Sequence, residues 1–238
     1  MSSYFIKMDI QNFFNSITID KMSTIISKRL KEKVLKGFAK YMPGSNQVKN
    51  ILSGCFYNNT IPLGLVSSPI LSDIYLNEMD TNITSEFKDI IYTRYADDIL
   101  ISSKNGFHNL LLCKDRIVDE LTLLNLKLND KKNLNIYLNN DGDSIHFIGI
   151  NIVKRKNGNE LTISKSFMSK WAYYINKNFD DLNKDSSKTK GIIHYIRNVS
   201  EKSYNKFLKM LLCRYNIVVS RDYFLTRNVI STDCDLPF

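Results

Sequence analysis

The segment Ile91-Tyr92-Thr93-Arg94-Tyr95-Ala96-Asp97-Asp98-Ile99-Leu100-Ile101 constrains the fold more than any other stretch of this chain. Its flanks are apolar and β-branched, which predicts two short strands joined by a tight turn. Two adjacent carboxylates at the tip of such a hairpin repel one another. A plain surface turn would carry Asn-Gly or Asp-Gly, residues that accept the positive φ these turns need. The repulsion asks for a counter-charge, and a divalent cation is the natural one.

Around this hairpin the chain reads as α+β. Residues 4–10 predict a strand. Asp20 or Thr18 caps a helix expected to run through Lys40, with Ile25, Ile26, Leu30, Val34 and Leu35 at helical spacing. Pro43-Gly44-Ser45 stops it, a short helix is expected over Gln47 to Cys55, and Pro62-Leu63-Gly64 predicts a turn. Ser68 caps a further helix with Pro69 at its first position; Ile70, Leu71, Ile74 and Tyr75 face its core, and it runs to about Glu86. After the hairpin an apolar helix spans about Phe107 to Leu124. A strand near Leu134–Tyr137 is expected to turn at Asn140-Asp141-Gly142-Asp143 into a strand over His146–Val153. Asn157-Gly158 turns that strand into Glu160–Ile163. From Lys165 the pattern is helical, without a strong strand signal until near Ile217.

Composition narrows the class. The 238 residues, 43% hydrophobic and 24% charged, suffice for one sizeable core or two small domains. A net charge of +9 favours a polyanionic partner, nucleic acid or an anionic membrane surface. Residues 165–238 hold 13 Lys/Arg against 7 Asp/Glu, which predicts a separate basic helical subdomain. No apolar run has the length of a membrane span, and no signal-peptide apolar region opens the chain. Cys55, Cys113, Cys213 and Cys234 form no Cys-x-x-Cys pair, and the three histidines are poorly spaced for zinc. Scattered thiols fit a reducing compartment, so a cytoplasmic protein is expected.

The first strand carries Asp9 at its end, followed by Ile10-Gln11-Asn12-Phe13-Phe14. Beside a hairpin bearing Asp97 and Asp98, it gives three carboxylates that can converge on a pair of cations. Two-metal phosphoryl transfer requires that arrangement. Mg2+ suits it, because it takes hard oxygen ligands and shares its shell with substrate phosphates.

In this setting the chain resembles the palm of reverse transcriptases, through an ordered series of motifs. Asp9 through Phe14 is similar to the first-aspartate motif, and Pro62-Leu63-Gly64 with Ser68-Pro69-Ile70-Leu71-Ser72 to the Pro-Gln-Gly…Ser-Pro-x-Leu-Ser motif. Tyr95-Ala96-Asp97-Asp98 matches the catalytic hairpin. Leu126-Lys127-Leu128-Asn129-Asp130-Lys131-Lys132-Asn133 resembles the lysine-bearing motif, and Phe147-Ile148-Gly149-Ile150 the primer-grip hairpin. The resemblance covers residues 4 to about 153. It implies a palm over 1–153 with residual fingers helices at 18–55, a connecting hairpin at 154–164 and a basic helical thumb over 165–238.

The roles it implies are specific. Asp9 and Asp97 would be the principal metal ligands, Asp98 would complete the charge cluster, and the Ile10 carbonyl would join the nucleotide-side ion. The ions would be two Mg2+, with Mn2+ as substitute. Phe14 would exclude a 2′-hydroxyl, Gly64 would let the backbone approach the template–nucleotide pair, and Ser68 would belong to the same nucleotide site. Lys132, or its neighbour Lys131, would protonate departing pyrophosphate. Tyr95, Phe147 and Gly149 would meet the primer, and Lys165, Lys170 and Arg197 the duplex phosphates. Trp171, Tyr173 and Tyr174 are expected in the thumb core.

Two departures stand out. Leu63 replaces the glutamine of the family motif, and the chain opens about where the palm opens. The second implies a truncated or split polymerase, or fingers contacts from another chain. The Asn-Ala-x-x-His and Val-Thr-Gly elements typical of retron enzymes are absent, and nothing corresponds to an intron maturase region, which leaves the small phage-defence type by elimination. The expected activity is RNA-directed DNA synthesis from dNTPs on an RNA template with a DNA or RNA primer, in a bacterial retroelement or antiphage system. A cognate non-coding RNA or a second chain would be the further partner. A fingers-less, non-catalytic or half-polymerase subunit is one alternative. A template-independent nucleotidyltransferase or RNA polymerase on the same palm is the other.

Overall fold

The computed structural model describes residues 4–33, 43–103, 106–184 and 186–227. The chain divides at Tyr137/Leu138 into two compact units.

The first unit is built on a four-stranded antiparallel sheet of β1 (Tyr4–Asp9), β2 (Ile90–Tyr95), β3 (Asp98–Ser103) and β4 (Leu134–Tyr137), in the order β2-β3-β1-β4. Its helices are α1 (Phe13–Ser16), α2 (Ile19–Lys33), α3 (Ser45–Leu52), α4 (Ser67–Glu86) and α5 (Phe107–Leu123). Ile6, Met8, Ile99 and Ile101 pack against Leu71, Tyr75, Leu76, Met79 and Ile83 of α4 and Leu110, Ile117 and Leu121 of α5. The three- and four-residue spacing on α4 and α5 makes one apolar stripe on each helix. Each such buried side chain contributes about 1.5–3 kcal/mol, so this layer is what fixes the sheet. The Tyr75 hydroxyl finds a partner by donating to the Leu124 carbonyl at 2.8 Å. The register sets Asp9 opposite Asp98 and Tyr95 opposite Asp98, so all three acidic positions gather at one end of the sheet.

The second unit has a three-stranded antiparallel sheet of β5 (Ser144–Phe147), β6 (Ile150–Arg155) and β7 (Gly158–Ile163), in that order. There follow α6 (Lys165–Lys177), α7 (Phe179–Lys184), α8 (Ser186–Val199) and α9 (Glu201–Tyr215), then a pair of short strands, β8 (Ile217–Val219) and β9 (Leu225–Arg227). Its core joins Ile163 and Met168 to Ala172, Ile175, Ile193, Ile196, Phe207 and Leu211. Ser164 and Ser200 cap α6 and α9, accepting from Phe167 N and Ser203 N at 3.2 Å each.

Several expectations are corrected. The turn at 140–143 forms, Asp143 N donating to the Asn140 carbonyl at 3.1 Å, but β4 ahead of it pairs with β1, Tyr4 against Tyr137 through Lys7 against Leu134. His146–Val153 is not one strand, because Ile148 (φ 42°) and Gly149 (φ 87°) make a tight turn between β5 and β6. A Cβ on Gly149 would fall 2.5 Å from Cδ2 of Phe167, so both backbone and packing demand glycine there. Ser68 lies inside α4, and its buried hydroxyl donates to the Pro62 carbonyl at 2.7 Å. Ile70 is exposed on that helix, not in its core. Between the two candidate caps of α2, Thr18 Oγ1 accepts from Lys21 N, while Asp20 pairs with Lys49. Tyr173 is exposed, whereas Trp171 packs against the second core. The stretch of the expected α2 beyond Lys33, with Val34 and Leu35, and Cys234 lie outside the described residues.

Candidate active site

Two crossing segments fix the end of β1 through three hydrogen bonds. Ile10 N donates to the Asp97 carbonyl at 3.0 Å, Gln11 N to the Lys127 carbonyl at 2.8 Å, and Asn129 N to the Asp9 carbonyl at 2.8 Å. Side chains then occupy both oxygens of Asp9: Lys132 Nζ donates to Oδ1 at 2.8 Å and Asn129 Nδ2 to Oδ2 at 3.2 Å. Lys132 N in turn donates to the Asn129 carbonyl, so the loop after residue 126 is folded around this one carboxylate.

Asp9, Ile10, Phe14, Leu63, Asp97, Asn129 and Lys132 line a common cavity of about 540 Å3. Burial pushes the Asp97 carboxyl above the usual range; its own backbone opposes this, the nearby charges of Asp9 and Asp98 add to it, and Lys132 also opposes it. Lys132 is raised, chiefly by its hydrogen bond to Asp9 and then by that residue's charge. The like-charge conflict expected from the sequence is therefore real in the fold, and Lys132 meets part of it.

Among the described residues, no three carboxylate, imidazole or thiol groups stand close enough together to cage an ion as placed. The donors nonetheless suit a hard divalent cation: two carboxylates and Ile10 share the cavity. Asp98 faces Asp9 across the strand pair and is not part of the cavity wall.

The other expected residues fall as follows. Both adjacent phenylalanines line the cavity and pack with the core, Phe13 buried and Phe14 half-buried, their ring centroids 5.2 Å apart. Gly64 has φ 95° with nothing within 4 Å of a would-be Cβ, so its turn alone explains the glycine within this chain. Gly64 and Ser68 are not on the cavity wall; Leu63 is. Tyr95 ends β2 with 66% of its surface exposed. In the second unit Phe147 is buried, Lys170 is exposed, and Lys165 lines a small basic cavity with Arg155, Lys202 and Lys206. Arg197 bonds Glu201 and stacks 5.4 Å from the Tyr204 ring centroid. Sequence reasoning missed Asn129 as a partner of Asp9; it lies within the lysine-bearing motif, three residues ahead of Lys132, and only the fold aims it.

A family model described as reverse transcriptase (RNA-dependent DNA polymerase) matches residues 1–152. The chain belongs to the reverse transcriptase family. It is 26% identical over 215 residues to the Retron Ec73 reverse transcriptase of Escherichia coli, covering 86% of this chain and 65% of that protein. It is 32% identical over 113 residues to the Retron Ec83 reverse transcriptase of the same organism, covering 43% of this chain and 33% of that one. This chain thus spans less than two thirds of each of these relatives. In fold it is similar to telomerase from Candida albicans, solved with a fragment of telomeric RNA, at TM-score 0.56 and 12% identity, over 90% of this chain and 40% of that chain. That likeness supports the α+β palm-and-thumb architecture. The relatives of this chain thus include retron enzymes, although it lacks the two retron elements. Divalent metal ions are general to the family. No helix among the described residues is long and apolar enough to cross a membrane.

Proposed function

We propose that this chain is the palm and thumb portion of an RNA-directed DNA polymerase that transfers deoxynucleotides from dNTPs to a primer 3′-hydroxyl. The observation that carries the reading is the cavity where Asp9 and Asp97 meet Lys132 and Phe14, in a chain of this family. Asp9, Asp97 and the Ile10 carbonyl would hold two divalent ions, Mg2+ or in its place Mn2+, with Asp98 adding charge. When bound, such ions lower the pKa of the attacking hydroxyl and steady the leaving pyrophosphate.

The chain's own groups do the rest. Lys132 Nζ, which donates a hydrogen bond to Asp9, is the acid for the departing oxygen. Phe14 sits on the cavity wall, where a ring would overlap a 2′-hydroxyl. Gly64 and Ser68 shape the loop that presents Leu63 to the cavity, through a positive φ and a hydrogen bond to Pro62. Tyr95, Phe147 and Gly149 would meet the primer strand. Lys165, Lys170 and Arg197 would contact phosphates of template and primer, an assignment that the net charge of +9 favours.

In this reading the palm runs to about residue 153, the hairpin 154–164 connects, and a thumb follows from 165, with fingers remnants at 18–55. The retron relatives support a bacterial retroelement as the setting; a cytoplasmic antiphage system with a cognate non-coding RNA is the narrower part of the proposal. Primer extension on an RNA template with dNTPs tests the reading. Incorporation that Asp97→Asn abolishes is the expected result; none by the complete complex, with all partners present, refutes it. The alternative reading is a non-catalytic half-polymerase subunit that binds RNA or a partner chain. A scaffold of that kind would keep its biological activity in the Asp97→Asn variant.

A further inference from the structure

The turn that carries Asp97 is held in an uncommon conformation. Ala96 has φ 51°, in the left-handed region, without being glycine or asparagine. Strained backbone of this kind persists only when its surroundings over-determine it. Two bonds do so here. The Asp97 carbonyl accepts from Ile10 N at 3.0 Å, and the Ala96 carbonyl accepts from Arg94 Nη1 at 3.1 Å.

Arg94 is itself fixed on all sides. Its side chain is 7% exposed. Nε donates to Asp80 Oδ1 at 2.9 Å, Nη2 to Asp80 Oδ2 at 2.6 Å, and Nη1 also to Asp73 Oδ1 at 3.2 Å. Tyr92 adds its hydroxyl to Asp80 Oδ1 at 2.6 Å. Asp73 and Asp80 stand seven residues apart on α4, hence on one helix face. The guanidinium thus joins α4 to one of the two carbonyls that hold the turn. A lysine, with a single compact ammonium, cannot span the forked bond to Asp80 and the Ala96 carbonyl together.

We infer that Arg94 is a positioning residue that holds Ala96 in its left-handed turn and so aims Asp97 at the ion site. The inference rests on the reading of Asp97 as a metal ligand. The plainer alternative is a buried ion pair that ties β2 to α4 and has no hold on the turn.

Glycine at position 96 separates the two, because it adopts the left-handed region without strain. Mn2+ binding is titrated by the loss of the free-ion electron paramagnetic resonance signal in four proteins: wild type, Arg94→Lys, Ala96→Gly and the double variant. The left-handed penalty corresponds to roughly five- to thirtyfold in an equilibrium constant, so Arg94→Lys is expected to weaken Mn2+ binding by about tenfold. In the Ala96→Gly background the same change is expected to cost no more than about twofold, since little strain remains for Arg94 to hold. Equal weakening in both backgrounds, or none in either, overturns the inference. Should Arg94→Lys fail to fold, circular dichroism of the double variant decides: recovery of the folded signal supports the inference, and no recovery overturns it. If the wild type binds no Mn2+, or binds it no better than Asp97→Asn, the metal-site reading fails instead. The brace is then judged by melting temperature in the same four proteins. A loss on Arg94→Lys that shrinks beside Ala96→Gly supports it, and an undiminished one refutes it.

Discussion

Gly149→Ala is the most exacting test of the packing described for the second unit. Two separate costs act at this position. The backbone stands at φ 87°, where an L-residue pays about 1–2 kcal/mol. The new Cβ would also lie 2.5 Å from Cδ2 and 3.0 Å from Cε2 of Phe167, and forcing an extra carbon into a packed contact costs about 1–3 kcal/mol. The expected loss is therefore about 2–5 kcal/mol. Gly142, in the same unit, supplies the control: its φ is 95° and nothing lies within 4 Å of its Cβ position, so Gly142→Ala is expected to cost only about 1–2 kcal/mol. In a unit of this size each kcal/mol moves the melting temperature by roughly 4–8 °C, well within the reach of scanning calorimetry. Phe167→Leu shortens the opposing ring, and in that background the two alanine variants are expected to converge. A Gly149→Ala variant no less stable than Gly142→Ala would refute the steric half of the reasoning.

Phe14→Ala removes the ring from the cavity wall, and is expected to reduce preference for dNTP over NTP by roughly five- to a hundredfold in single-nucleotide incorporation; an unchanged ratio would assign Phe14 to packing alone. Tyr75→Phe deletes the bond to the Leu124 carbonyl and is expected to cost about 1 kcal/mol in urea unfolding, with no change in the sheet's circular dichroism. Burial, with Glu86 adding, pushes the Cys113 thiol up to about 12, so its reactive thiolate is scarce at pH 8. Alkylation at pH 8 is expected to mark half-buried Cys55 first, and Cys113 only after unfolding or as the pH rises toward 12; equal native rates would contradict the burial.

Much of the site was legible because local pattern and fold agree around it. The β-branched flanks of Asp97-Asp98 form a hairpin whose second strand is buried almost throughout, and Asp9 ends a strand that the same hairpin covers. What could not be read was of two kinds. Strand pairing over long separation leaves no local mark, so the partnership of β4 with β1 was hidden behind a plausible turn at 140–143. The turn at Ile148-Gly149 showed only through the resemblance to the primer-grip hairpin; apolar residues on both sides hide it from local pattern, with isoleucine in a backbone region that it rarely occupies. Side-chain reach is equally silent in sequence. Lys131 and Lys132 are equivalent as letters, and only the fold gives Lys132 to Asp9. The ties of Asn129 to Asp9 and of Arg94 to the Ala96 carbonyl likewise depend on segments brought together from far along the chain.

The place of β1 in the sheet has a consequence for synthesis. Residues 4–9 form an inner strand, yet one neighbour is residues 98–103 and the other 134–137. At roughly 5–20 residues per second, the first strand waits several seconds for β3 and longer for β4. Throughout that wait Ile6 and Met8, which end fully buried, have no sheet to enter. The acidic end of the sheet is completed late as well, because Asp9 acquires Asn129 and Lys132 only once those residues have been made. A nascent chain stopped short of Lys132 would thus carry Asp97 and Asp98 on a formed hairpin beside an Asp9 that has not yet gained its side-chain partners.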